Sequence, residues 1–126
     1  MKYLKLHILM PIINTNTTFC NYITPRERIM EFKTRLSKLS IRRDLDLWAP
    51  AFCYCGLACG KIEAIINDKI ELYDFAAGKL IALEAGAKIT DFYGLAVIDD
   101  TIDAFVMSNG TPIHSTVISK VTTKIT

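Results

Sequence analysis

The stretch Ile70-Glu71-Leu72-Tyr73-Asp74-Phe75-Ala76-Ala77-Gly78-Lys79-Leu80-Ile81-Ala82-Leu83-Glu84-Ala85-Gly86, continued by Ala87-Lys88-Ile89-Thr90-Asp91-Phe92, decides how this chain folds. It reads as one acidic residue, one helix and one strand. Asp74 is placed to cap the helix, because its carboxylate can accept from the unpaired amides of the first turn and the positive dipole end there favours its ionised form. Ala76, Leu80 and Leu83 make one apolar row and Ala77 with Ile81 the next. That leaves little besides Lys79 and Glu84 for solvent, so the pattern predicts a helix packed on nearly every side. Gly86 supplies the left-handed residue that commonly ends a helix, and the alternation from Ile89 to Phe92 restarts the backbone as a strand.

Working outward toward the amino terminus, Ala51-Phe52-Cys53-Tyr54-Cys55-Gly56-Leu57-Ala58-Cys59-Gly60 reads as a short buried helix closed by Gly60, followed by a strand over Lys61 to Ile66. Ile41 to Trp48 is an extended segment leading to Ala49-Pro50. Thr24-Pro25-Arg26-Glu27 combines a capping box with proline at the first helical position. The helix it opens carries Ile29, Phe32, Leu36 and Leu39 as one stripe, with Arg26, Arg28, Lys33, Arg35 and Lys38 on a solvated face. Tyr3 to Ile8 alternates as a strand, and Asn14 to Thr18 is a polar loop. Toward the carboxyl terminus, Ala104 to Gly110 is the last strand and its turn, and Thr111-Pro112 opens a final helix weakened by its β-branched residues. The order strand, helix, helix, strand, helix, strand, strand, helix is that of a layered α/β domain.

The residues of the deciding stretch also carry a resemblance. Tyr73-Asp74, Phe75, Ala76-Ala77, the apolar helix, Glu84-Ala85-Gly86 and a strand ending in Asp91-Phe92-Tyr93-Gly94 resemble the second signature of the inositol monophosphatase family, usually Trp-Asp-(Ile/Phe)-Ala-Ala…Glu-Ala-Gly-Gly. Tyrosine for tryptophan is typical of the histidinol-phosphatase-like branch as well. Leu57-Ala58-Cys59-Gly60-Lys61-Ile62-Glu63 is similar to the family's preceding helix end, and the resemblance covers about residues 42 to 120.

Such a resemblance implies the C-terminal half of an α/β/α/β/α sandwich, and a chemistry in which magnesium ions hydrolyse phosphomonoesters such as inositol phosphate or histidinol phosphate. It makes Asp74 a magnesium ligand. The family's Glu seven residues earlier, which touches substrate hydroxyls, is Asn67 here, able to hydrogen-bond but without charge. Where the family opens its helix with small residues close to substrate, this chain has Trp48-Ala49-Pro50-Ala51, whose bulk and missing amide hinder that approach. The family's N-terminal signatures, a Glu and an Asp-Pro-(Ile/Leu)-Asp-Gly-Thr loop, hold most of its metal ligands, and no Asp-Pro occurs in this chain. No catalytic residue is therefore assigned. The resemblance makes the chain a truncated or split member of the family, inactive alone, or an interaction module pairing with itself or with a full-length relative.

Composition agrees with a single partial domain over residues 1–126. With 51% hydrophobic residues the chain can build a core, while a whole enzyme of this family needs about twice the length. A net charge of +2 on 15 basic and 13 acidic residues makes no strong field, which argues against nucleic acid or an anionic membrane as partner. No apolar run approaches the roughly 18 residues of a membrane span, and the expected location is the cytoplasm. Cys20, Cys53, Cys55 and Cys59 read as small buried apolar residues in a reducing compartment rather than as a metal or disulfide site. Asp99, Asp100 and Asp103 read as solvated charge on a surface loop.

Overall fold

A computed structural model describes residues 18–23, 26–41, 43–46, 49–68, 71–97, 101, 104–110 and 112–125. Its elements are β1 (Thr18–Tyr22), α1 (Arg26–Leu36), β2 (Arg43–Asp46), α2 (Pro50–Ala58), β3 (Ala64–Asn67), α3 (Leu72–Glu84), β4 (Lys88–Thr90), β5 (Phe105–Ser108) and α4 (Ile113–Lys120). A 3-10 turn follows at Thr122–Lys124. The strands form one sheet in the order β2-β1-β3-β5-β4. β1 runs parallel to β2 and β3, whereas β5 is antiparallel to β3 and β4. The parallel pairs are joined through α1 and α2, as parallel neighbours require a crossover.

The two faces of the sheet build separate cores, because successive strand residues point to opposite sides. On one face Phe19, Ala64, Ile66 and Val106 pack with Phe32 and Leu36 of α1 and with Ile113 and Val117 of α4. On the other, Cys20, Ile65, Phe105 and Met107 pack with Cys53, Tyr54 and Leu57 of α2 and with Phe75 and Ala82 of α3. The product is a three-layer α/β domain. The apolar stripe expected on α1 is in place, and Gly60 and Gly86 take the positive φ values of 78° and 102° that their helix-ending roles demand.

Several expectations are corrected. Thr18 to Tyr22 is a central strand, although Asn14 to Thr18 reads as loop up to its first residue. α3 begins two residues before Asp74: Glu71, in extended backbone at φ −72° and ψ 144°, is its N-cap. Asp74 thus lies inside the first turn, where its own amide donates to the Glu71 carbonyl at 2.9 Å, and its side chain makes no capping bond.

The buried face of α3 is Phe75, Gly78, Lys79 and Ala82, not the Ala76, Leu80 and Leu83 row. Gly78 determines this rotation, since a Cβ there would lie 2.6 Å from Cβ, Cγ and Cδ2 of Tyr54. The missing side chain lets α2 seat against the helix. Lys79 is consequently only 6% exposed, with its ammonium 5.8 Å from the Phe75 ring centroid, while Leu80 turns outward.

The cysteines divide. Cys20 and Cys53 are buried, with their sulfurs 3.1 Å apart, but Cys55 and Cys59 are exposed, because α2 turns Cys53, Tyr54, Leu57 and Ala58 to the sheet and the opposite face to solvent. Arg28 is not simply solvated either. It pairs with the buried Asp68 at 2.6 Å and lies 5.8 Å from the centroid of Phe92. The expected strand at Tyr3 to Ile8, the Thr24-Pro25 helix start, Trp48, and Asp99, Asp100 and Asp103 lie outside the described residues. Among the described residues no helix is long and apolar enough to cross a membrane.

Candidate functional site

Asn67 ends β3 on the side of the sheet covered by α2 and α3, and it is fully buried. Its Nδ2 donates to the hydroxyl of Tyr54, which α2 presents from above. Its Oδ1 is buried without a partner among the described residues. A buried amide with one atom unpaired costs stability unless something else supplies a donor.

Asp74 stands half-buried in the first turn of α3. Its carboxylate makes no side-chain hydrogen bond or ion pair with the described residues. The dipole of α3 supports its negative charge in that place. Tyr54 links the two expected site residues: burial pushes its phenol well above the ordinary tyrosine value, the hydrogen bond from Asn67 opposes this, and the nearby charge of Asp74 adds to it. Sequence reasoning missed Tyr54. Its signal was the spacing of Tyr54, Leu57 and Ala58 on one helical face, which marks the buried side of α2.

Sequence reasoning also missed a buried histidine. His114, on α4, has Nε2 2.8 Å from Thr90 Oγ1 of β4 and Nδ1 2.7 Å from Ser108 Oγ of β5. Burial, with Lys88 nearby, lowers its pKa to about 4. The imidazole is therefore neutral near pH 7, one nitrogen donating and the other accepting. Both valences are used within the fold, so it ties three elements together and has no free nitrogen for a ligand.

A magnesium ion prefers about six oxygens in near-octahedral geometry and is usually held by one or two carboxylates together with water and substrate phosphate. Among the described residues no group of three or more His, Cys, Asp or Glu side chains gathers to hold a metal ion. A lone carboxylate such as that of Asp74 does not make such a centre by itself.

Comparisons with known proteins bear on the family and the fold. A sequence model of the inositol monophosphatase family matches residues 20–125. No curated protein matches the sequence. Among solved structures, an IMPase from Thermotoga maritima superposes with a TM-score of 0.79 at 24% identity, over 97% of this chain and 45% of that one. The extragenic suppressor protein suhB from Bartonella henselae gives 0.76 at 15% identity, over 92% of this chain and 45% of that one. An inositol monophosphatase from Anabaena gives 0.73 at 18% identity, over 93% and 48%. At such identities the structures establish the fold, and the chain spans rather less than half the length of each. With residues 20–125 matched by the family model, with Asp74 on the helix of the family signature and with the same fold beneath it, the chain belongs to the inositol monophosphatase family.

Proposed function

We propose that this chain is the carboxyl half of a magnesium-dependent phosphomonoesterase, a truncated or split member of its family that contributes Asp74 to a metal centre and lacks appreciable activity alone. One observation carries this reading: the chain aligns along 97% of its own length with only 45% of an IMPase. The remainder of such a protein is where the other carboxylates must come from, since Asp74 has no acidic cluster beside it among the described residues. Asn67 is the candidate substrate-side group. For it to reach a phosphomonoester, α2 has to shift, because Asn67 is fully buried with Tyr54 of α2 on its amide nitrogen. Inositol phosphate and histidinol phosphate are the substrate types of the complemented enzyme, and the cytoplasm is its proposed location.

Isothermal titration with magnesium tests the metal half of this proposal. A single carboxylate displaces little of the ion's water, so the isolated chain is expected to bind at millimolar affinity or more weakly. Micromolar binding that Asp74→Asn removes would show a complete site and overturn the reading.

A second reading, a non-catalytic module that pairs with itself or with a full-length relative, is favoured by the outer surface of α2 and α3. Phe52 is 77% exposed, Leu72 52%, Tyr73 83% and Leu80 60%, all on these two helices. Apolar surface of this kind drives association. Size-exclusion chromatography decides between monomer and dimer, and a clean monomer at high concentration removes the self-pairing form.

A further inference from the structure

We propose that Cys55 and Cys59 form a copper(I) site on the outer face of α2. The helical hydrogen bonding of α2 runs through this pair, with the Cys59 amide donating to the Cys55 carbonyl at 2.9 Å. Residues four apart on such a helix keep their Cβ atoms about 5–6 Å from each other on one face. Both cysteines are exposed, and both line one open groove of about 520 Å³ between α2 and the edge strand β2. Leu45 and Phe52 give the groove apolar walls, and Arg43 and Lys61 bring positive charge to it.

The donor set selects the ion. Among the described residues no His, Asp or Glu lines the groove, so from them a cation entering it finds two sulfurs and no other strong ligand. Zinc in a structural site requires four ligands, and magnesium requires oxygens, so neither is served. Thiolates favour soft ions such as copper(I), which two sulfurs alone can satisfy. Two metal–sulfur bonds of roughly 2.3 Å each span about 4.6 Å, a separation open to side chains one helical turn apart. On binding, each thiol gives up its proton to solvent, and one Cu⁺ with two thiolates leaves a net charge of −1. Arg43 and Lys61, which line the same groove, offset that charge. Cys20 of β1 and Cys53 on the inner face of α2 are buried and engaged with each other, away from the exposed pair.

Anaerobic titration of the reduced chain with copper(I) held by a chromophoric chelator such as bicinchoninate reads the transfer directly. One equivalent is expected to move to the protein, with X-ray absorption showing two sulfur neighbours and no tightly bound nitrogen or oxygen. Cys55→Ala and Cys59→Ala should each weaken binding by about 100-fold or more, since even loss of a supporting partner around a metal costs roughly 10–100-fold. Their exposed positions leave the circular dichroism unchanged. Cys53→Ala should bind copper like the parent, and zinc should not displace the ion. Absence of transfer to the parent chain would overturn the proposal. So would transfer retained by the Cys55→Ala/Cys59→Ala double variant, which would place the ion elsewhere.

Discussion

The Asn67 side-chain amide donates to the hydroxyl of Tyr54 across the seam between β3 and α2, and both side chains are completely buried. One bond therefore fixes the helix that overlies the candidate site to the strand that carries it. Tyr54→Phe deletes the acceptor and leaves the amide of Asn67 buried with no partner, which should cost about 1–3 kcal/mol. Replacing both residues, as Tyr54→Phe with Asn67→Leu, should cost less than the sum of the single changes, because no orphaned polar group remains. Urea unfolding of the four proteins checks this, and additive losses would show that the pair is not coupled.

Gly78→Ala should destabilise the chain in spite of alanine's better helix propensity, a gain of about 1 kcal/mol. The added methyl would meet Cβ, Cγ and Cδ2 of Tyr54 at 2.6 Å, and these atoms are not the free end of a flexible chain. Overpacking of a fitted core commonly costs about 1–3 kcal/mol, so the net effect is a loss. A raised melting temperature in Gly78→Ala would show that the two helices are less closely seated than described.

His114 gives stability a pH dependence. Its folded pKa of about 4 lies below the ordinary value of 6.5, so the unfolded chain binds the proton more readily. The stabilisation is complete above the unfolded pKa and is lost as pH falls from about 6.5 toward 4. Its magnitude is on the order of 3 kcal/mol, at 1.36 kcal/mol for each pKa unit. Denaturation midpoints between pH 7 and 4 read this directly. His114→Gln, which keeps hydrogen-bonding atoms without titrating, should flatten the slope in that window.

The central helix, its glycine stop and the strand after it are legible in the sequence because periodicity and turn chemistry are local. The facing of α3 is not. It depends on Gly78 meeting Tyr54, a contact between elements that no helical pattern encodes, and it turns the apparent solvent residue Lys79 inward and Leu80 outward. The exposure of Cys55 and Cys59 has the same origin, since an all-apolar α2 offers no polar face from which to read its orientation. The strand Thr18 to Tyr22 is hidden by the polar residues before it and by Asn21 within it, which is buried and donates to the Asp44 carboxylate. The signature makes Asp74 a candidate, but its place within the helix is not legible, because Glu71 and Asp74 are both acceptable at a helix start.

That placement changes what Asp74 should contribute to stability. A capping aspartate tolerates Asn but not Ala, which typically costs about 0.5–2 kcal/mol. A first-turn aspartate that makes no capping bond interacts only with the helix dipole, worth about 0.3–1 kcal/mol. Asp74→Asn and Asp74→Ala should therefore lose similar, small amounts in thermal unfolding. A neutral Asn variant beside a clearly destabilised Ala variant would return Asp74 to the cap.

In the proposed reading this chain is half of a catalytic unit and brings Asp74 to its metal centre. Phosphate release from inositol monophosphate and from histidinol phosphate, followed with the purified 126-residue chain in the presence and absence of magnesium, tests it most directly. No release above the protein-free rate is expected under either condition. Magnesium-dependent turnover that Asp74→Asn abolishes would contradict it, by showing that the chain assembles a complete metal centre without the rest of the fold.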